Sequence, residues 1–161
     1  MKRHGVLNQA LSSALSSFGH GDLLIVSDVG FPIPRDAQRI DLAIAPDLPD
    51  LRTMLSLIAD DFITEKIIVA AEMKEFNPPL YEWLQQRFPA VEFEERPHTE
   101  MLGPVAASAK AIVRTGAYDP WGNIGLVSGV DVGRYFSKPG VRVPDYYRDR
   151  VNAARDEGDN R

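Results

Sequence analysis

Short apolar segments that alternate with amphipathic ones restrict this chain more than any other feature does. The run Leu23–Ser27 has four consecutive apolar side chains, a pattern typical of a strand buried on both faces of a sheet. Before it, apolar residues recur at helical spacing over 8–18, and Gly19 stands where a left-handed residue can end a helix. The start of the chain therefore predicts a helix followed by a central strand.

The same alternation continues as far as residue 130. Helices are predicted over 51–62 and 78–88, and a weaker helix over 99–108 is interrupted by Gly103 and Pro104. Further strands are predicted over 39–44, 66–71, 90–94, 111–113 and 124–127. Six strands interleaved with helices predict a single three-layer α/β domain over residues 1–130.

The last thirty residues have a different character. Apolar periodicity fades after Val130, and residues 131–161 carry many charges of both signs together with Pro139, Gly140 and Pro144. We predict a helix over 148–155 and a loose end over 157–161. Residues 131–161 are therefore interpreted as a charged C-terminal extension of the core.

Composition excludes several classes of protein. With 161 residues, 44% of them hydrophobic, the chain can build one full core. It has no cysteine, which excludes disulfides, thiolate zinc sites and a cysteine nucleophile. We expect neither a signal peptide nor a membrane span, because no apolar run is long enough, and we expect a cytoplasmic location. A net charge of −5 argues against a nucleic-acid partner.

The motifs that the chain lacks narrow the chemistry further. It has no glycine-rich nucleotide-binding loop, no serine-hydrolase elbow and no pair of histidines at metal-ligand spacing. The remaining candidates are groups that transfer protons without a cofactor.

His20 and Asp28 are the first two candidates. An imidazole can serve as acid or base near neutral pH, and a carboxylate after a buried strand can accept hydrogen bonds from hydroxyl groups. Because they are eight residues apart, we expect both side chains to converge on one pocket. In the alternative interpretation, His20 is an idle cation at a helix end and Asp28 only starts an Asx-turn.

Two further parts of the chain contain candidate binding residues, the segment 121–123 and His98. Trp121 can stack on the C–H face of a sugar, Gly122 permits close backbone approach, and the Asn123 amide can bind hydroxyls. His98 lies at a predicted helix start. The alternatives are an ordinary turn with a buried tryptophan, and a histidine that is solvated or caps the helix.

Seven segments, in this order and spacing, resemble the D-ribose pyranase family, which is related to L-fucose mutarotase. They are KRHGVLN (2–8), GHGD (19–22), SDVGFPIP (27–34), RIDL (39–42), AAEMK (70–74), AIVRTG (111–116) and WGNI (121–124). The resemblance covers residues 1 to about 130.

The resemblance implies an isomerase that uses no cofactor and no metal. It would interconvert the pyranose and furanose forms of a free monosaccharide, D-ribose, so that a transporter's product becomes a kinase's substrate in ribose catabolism. It implies a mixed sheet and a homodecamer of two pentameric rings, with the site shared between neighbouring subunits. By the same resemblance His20 is the general acid, whereas Asp28, His98, Trp121, Gly122 and Asn123 bind the sugar.

Two departures from the family leave alternatives open. Trp121 replaces the tyrosine that ribose pyranases usually carry, and family members tend to end near residue 130. The alternatives are a mutarotase that exchanges anomers of another sugar such as L-fucose, a non-catalytic sugar-binding module, and a ring-forming interaction protein. In the last case residues 131–161 would mediate the interaction. In an enzyme whose site lies at a subunit boundary, they would cover the site, contact a neighbouring subunit or be solvated.

Overall fold

The structure, a computed structural model, describes residues 2–152. Along the chain its elements are α1 (Gln9–Ser16), β1 (Leu23–Ser27), β2 (Gln38–Asp41), α2 (Leu51–Asp61), β3 (Thr64–Ala70), α3 (Met73–Phe76), α4 (Pro78–Arg87), β4 (Glu92–Arg96), α5 (His98–Glu100), α6 (Ala106–Ser108), β5 (Ala111–Arg114), β6 (Ile124–Ser128) and α7 (Val132–Tyr135). A π-helical turn, Met101–Val105, joins α5 to α6, and a 3-10 turn occupies Asp145–Tyr147. The described chain divides into two compact units after Gly129.

The first unit contains a six-stranded mixed sheet in the order β2-β5-β1-β6-β3-β4. Strand β6 is antiparallel to both of its neighbours, β1 and β3, whereas every other pair is parallel. Five strands therefore end at one edge, here named the carboxyl edge, where β6 begins. The opposite edge, where those five strands begin and β6 ends, is named the amino edge. This arrangement confirms the predicted α/β fold with a mixed sheet of six strands.

Strand β1 separates the two halves of the hydrophobic core. Leu24 and Val26 face a cluster that includes residues of α1, α2 and α4. Leu23 and Ile25 face a second cluster, which includes Ala106 of α6. All five residues of β1 are buried, and each large apolar side chain buried in this way contributes about 1.5–3 kcal/mol. Helices thus cover both faces of the sheet, and β1 is the rigid centre of the three layers.

Polar side chains set where the longer helices begin. Asn8, Asp50 and Asn77 each accept a hydrogen bond from a backbone N–H in the first turn of α1, α2 and α4. These caps satisfy donors that have no partner within the helix. No helix among residues 2–152 is long and apolar enough to cross a membrane.

Two predicted elements differ from the structure in ways that hydrogen bonding explains. The strand predicted over 39–44 ends at Asp41, because the Asp41 carboxylate accepts a hydrogen bond from the Ala43 N–H (3.2 Å) and turns the chain. The helix predicted over 99–108 is present, but its middle is the π-helical turn that contains Gly103 and Pro104. Proline lacks an N–H, which is one reason why regular α-helical bonding is interrupted there.

The second unit is built around aromatic rings. The rings of Phe136 and Tyr147 lie 5.6 Å apart, and the Arg150 guanidinium lies 5.4 Å from the Tyr147 ring. Asp131 caps α7 by accepting a hydrogen bond from the Arg134 N–H (2.9 Å). The chain is helical over 148–152; the rest of the helix predicted over 148–155, and the end over 157–161, lie outside the described residues.

Candidate active site

At the carboxyl edge, Asp28 and Asn123 form a reciprocal pair. Asp28 directly follows β1 and Asn123 directly precedes β6, so the pairing of these two strands brings them together. The Asn123 side-chain oxygen accepts a hydrogen bond from the Asp28 N–H (3.2 Å), and the Asn123 amide nitrogen donates to the Asp28 carboxylate (3.1 Å). Asn123 is only 2% exposed. This buried amide fixes the carboxylate of Asp28 in one orientation.

The Asp28 carboxylate is only partly solvated. Burial raises its pKa, and hydrogen bonds from the Gly30 N–H and the Asn123 amide oppose part of that effect. The bond from the Gly30 N–H (2.8 Å) is an Asx-turn. The turn uses one carboxylate oxygen and the Asn123 amide donates to the other, so Asp28 both starts a loop and is held in one orientation.

His98 lies at the same edge, at the start of α5. Its backbone N–H donates to both carboxylate oxygens of Glu72, at 3.2 and 3.0 Å. Its side-chain Nδ1 is buried, and among the described residues it has no hydrogen-bond partner. His98 lies near enough to Asp28 to lower the pKa of that carboxyl. Nδ1 is therefore neither solvated nor capping the helix, although His98 as a whole is only half-buried. A buried ring nitrogen without a partner is suited to a ligand.

The turn before β6 supplies an aromatic wall. Trp121 adopts a left-handed conformation (φ 55°), and its ring stacks on Phe76 with centroids 5.1 Å apart. A Cβ atom at Gly122 would lie 2.7 Å from the Asp119 carbonyl oxygen, so only glycine fits there. The turn is also tied to the start of α4, because the Asn77 amide donates to the Pro120 carbonyl (2.9 Å). Trp121 itself is half-buried and packs against the main hydrophobic cluster, so the turn has a structural contact as well as a partly exposed ring.

Three residues at this edge were not identified from the sequence: Glu72, Phe76 and Asp119. Burial raises the pKa of Asp119; Arg52 opposes this, while the negative charges of nearby aspartates, including Asp28, add to it. Glu72 shortly follows the apolar strand β3 much as Asp28 follows β1, and that position could have indicated it. Phe76 carries no comparable signal.

His20 lies at the amino edge, in the turn before β1. Its Nε2 is 2.9 Å and 3.0 Å from the two carboxylate oxygens of Glu65, and its side chain is 45% exposed. The five residues of β1 stand between His20 and Asp28, which corresponds to about 16 Å of extended strand. The expected convergence of His20 and Asp28 on one pocket is therefore wrong within a single chain. The two residues lie at opposite ends of an extended strand, which keeps their side chains apart.

The site is chemically suited to hydroxyl recognition and proton transfer. The carboxyl edge holds a carboxylate with raised pKa, a buried amide, a buried imidazole nitrogen and an aromatic face. Among residues 2–152, no three histidine, aspartate or glutamate side chains are grouped so as to hold a metal ion. Such a set can bind a polyol through hydrogen bonds on one side and apolar contact on the other.

Comparison with known proteins gives consistent results. The model of the RbsD / FucU transport protein family matches residues 1–131. D-ribose pyranase 2 of Rubrobacter xylanophilus is 73% identical over 154 residues, which cover 96% of this chain and 100% of that protein. D-ribose pyranase 1 of Streptomyces griseus is 56% identical over 151 residues, covering 94% and 100%.

A solved structure shares the fold. The structure of Bacillus subtilis RbsD complexed with D-ribose superposes with a TM-score of 0.77 at 36% sequence identity, covering 81% of this chain and 98% of that one. The resemblance seen in the seven sequence segments is thereby confirmed, and this chain belongs to the RbsD / FucU transport protein family.

Proposed function

We propose that this protein is a D-ribose pyranase, an isomerase that interconverts the pyranose and furanose forms of D-ribose. The near-full-length identity to two proteins named D-ribose pyranase supports this function, as does the fold shared with a protein solved in complex with D-ribose. The observation that carries the proposal is the Asp28–Asn123 pair beside the buried, unpartnered Nδ1 of His98. These groups have hydrogen-bonding capacity that residues 2–152 leave unused.

The reaction requires only proton transfers. In ring opening the anomeric hydroxyl loses its proton, the ring oxygen gains one, and the bond between C1 and the ring oxygen breaks to give an aldehyde. After rotation, a different hydroxyl attacks C1 and loses its proton, while the carbonyl oxygen gains one. Protons and electrons balance without a cofactor or metal. Each positioned acid or base typically accelerates such a step ~10²–10⁴-fold.

The residues divide into binding and proton-transfer groups. Asp28 and Asn123 bind and orient hydroxyls, and the Nδ1 of His98 binds another. Trp121 stacks on the apolar face of the sugar, and Gly122 allows the turn to approach it. His20 is the general acid that protonates the ring oxygen.

Because His20 and Asp28 lie at opposite edges of one sheet, we place the complete site between subunits. His20 of one subunit meets the carboxyl edge of its neighbour in a homodecamer of two pentameric rings. The exposure of the His20 side chain, 45%, supports this arrangement. Residues 131–161 form an extension to the 1–130 domain that contacts a neighbouring subunit, and the exposure of the Tyr135 and Tyr146 rings supports this role. The absence of cysteine supports a cytoplasmic location.

Exchange NMR on D-ribose at equilibrium tests the activity. The wild-type protein should produce magnetisation transfer between pyranose and furanose signals well above the uncatalysed rate. Glu82→Gln, an exposed carboxylate on α4 away from the site, should behave like wild type. Exchange confined to the anomers of another sugar, such as L-fucose, would instead show a mutarotase, and ribose binding without exchange would show a binding module.

A mixing experiment tests whether the site is shared. His20→Ala and Asp28→Asn are each expected to be inactive alone. If each site takes His20 from one subunit and Asp28 from the next, random mixing restores about a quarter of the sites. The two variants should be unfolded and refolded together, with each variant refolded alone as the control. No recovery in mixed oligomers of normal mass would contradict the shared site.

A further inference from the structure

The His20 imidazole is held by one carboxylate, that of Glu65. Both oxygens of Glu65 lie within 3.0 Å of Nε2, and the Glu65 side chain is 20% exposed. No other hydrogen bond to this imidazole is made within residues 2–152. Sequence reasoning assigned Glu65 no role.

A break in the regular pairing of the sheet sets the position of Glu65. In the pairing of β3 with β6, Thr64 lies opposite Ser128 and Lys66 lies opposite Val127, so Glu65 is the extra residue of a β-bulge. A bulge changes the direction of a side chain relative to regular alternation. Gly129 lies close alongside, since a Cβ there would be 3.0 Å from the Glu65 Cβ. The end of β6 thus lies directly against the strand that presents the carboxylate.

The turn that carries His20 is also fixed. Gly21 has φ 84°, and its N–H donates to the Ser128 carbonyl (2.8 Å). The Asp22 carboxylate accepts hydrogen bonds from the Gly19 N–H (2.8 Å) and the Lys110 ammonium (2.5 Å). With the backbone held in this way, the remaining freedom of His20 is rotation of its ring, and the contact with Glu65 restricts that rotation.

The chemistry of the contact assigns the two ring nitrogens. An ionised carboxylate can only accept hydrogen bonds, so Nε2 carries a proton and Nδ1 is the nitrogen directed away from Glu65. We propose that Glu65 is a positioning residue, which fixes the tautomer of His20 and presents Nδ1 as the atom that transfers the proton to the sugar. After Nδ1 gives up its proton, the neutral ring keeps its Nε2–H on Glu65 and is ready to accept a proton again. This inference rests on the proposed role of His20 as general acid.

Substitution of Glu65 tests the proposal. Glu65→Gln keeps the size of the side chain but can offer an amide N–H to Nε2, which favours the opposite tautomer. The rate constant for pyranose–furanose exchange at saturating ribose should fall tenfold or more, part of the ~10²–10⁴-fold that a general acid contributes. The KM for ribose should not change, because Glu65 does not touch the sugar. Glu65→Asp, which keeps the charge, should retain more of the rate than Glu65→Gln.

NMR of the His20 imidazole measures its tautomer directly. If the contact with Glu65 were only a structural ion pair, substitution of Glu65 would not change that tautomer. The ¹³C and ¹⁵N shifts of His20, assigned by their loss in His20→Ala, should report the Nε2–H tautomer in wild type and a shift away from it in Glu65→Gln. Wild-type rate and tautomer in a folded Glu65→Gln would overturn the proposal, as would a changed KM with an unchanged rate. If Glu65→Gln does not fold, Glu65→Ala replaces it, and a wild-type exchange rate in the folded alanine variant would overturn the proposal. A wild-type protein that does not exchange ribose would instead contradict the proposed function, so the two failures are distinguishable.

Discussion

The two edges of the sheet carry polar groups of opposite character. At the carboxyl edge, Asp28 and Asn123 are interlocked by two hydrogen bonds, and Asn123 is almost completely buried. At the amino edge, His20 is 45% exposed and depends on a single carboxylate. The carboxyl edge is therefore organised within one chain, whereas the amino edge carries a half-exposed imidazole. The proposed sugar-binding groups lie at one edge, and the proposed proton donor lies at the other.

Strand β1 explains why both edges are held in a fixed relation. It runs from the turn of His20 to Asp28, is buried along its whole length, and pairs with β5 and β6. A strand hydrogen-bonded on both sides and packed on both faces has little freedom to bend. Any assembly that joins the two edges must therefore do so between chains.

The largest effect is expected for His20→Ala. Loss of the proposed general acid should lower the ribose exchange rate constant ~10²–10⁴-fold. The thermal unfolding temperature should stay close to that of wild type, because the removed side chain is half exposed and forms only a surface ion pair. Exchange NMR and a thermal melt on the same sample measure both quantities. A large loss of stability would show that His20 is also a structural group, and would contradict the contrast between the two edges.

The second effect concerns Asn123→Ala, which should cost both stability and activity. Removal of the amide leaves the Asp28 N–H and carboxylate without their buried partner, a cost of about 1–3 kcal/mol. Urea unfolding should therefore show a lower free energy of unfolding, and ribose binding by calorimetry should weaken.

Asn8→Ala is the matched control for that substitution. It removes the cap of α1 and should cost about 0.5–2 kcal/mol, with no loss of ribose affinity. If Asn123→Ala loses stability but binds ribose normally, the pair at the carboxyl edge is structural only.

The sequence indicated the local features of these edges but not how they are arranged in space. The apolar run Leu23–Ser27 identified the central strand, because its burial on both faces leaves no room for polar side chains. Asp28 and Asn123 could be identified as candidate site residues because they directly flank such strands. Polar side chains at strand ends lie next to loops, where ligands commonly bind. Nothing in periodicity shows that β6 inserts antiparallel between β1 and β3, since that pairing joins residues about 60 to 100 positions apart.

The role of Glu65 depends on the same long-range pairing. In the sequence it is one charged residue beside Thr64 and Lys66, and its contact with His20 spans 45 positions. Its placement depends on the bulge that forms only when β3 pairs with β6. The error over His20 and Asp28 had a related cause: their eight-residue separation was considered without the extended length of the strand between them.

A smaller effect is expected for Asp28→Asn, in the way its stability relative to wild type changes with pH. Burial raises the pKa of Asp28 above 3.8, so its contribution to stability is fully present below pH 3.8 and is lost as pH rises through the folded-state pKa. The asparagine variant does not titrate and can still accept from the Gly30 N–H. Its stability relative to wild type should therefore increase between pH 4 and pH 7, by less than about 1 kcal/mol because solvent still reaches the carboxylate. Urea unfolding at both pH values measures this, and an unchanged difference would contradict it.

The smallest effect is expected for Asp22→Asn, in the turn that supports His20. The Gly19 N–H, and then Lys110, hold the pKa of Asp22 below 3.8. A lowered pKa adds stability above pH 3.8 that is lost as pH falls through the folded-state value. Wild type should therefore unfold at a slightly higher temperature than Asp22→Asn at pH 7 and lose this advantage in acid. Because salt screens exposed charges, the advantage should also shrink in 1 M salt. If the difference in unfolding temperature does not change with pH, the charge of Asp22 does not stabilise the turn. Glu65 would then be the residue whose charge matters at the amino edge.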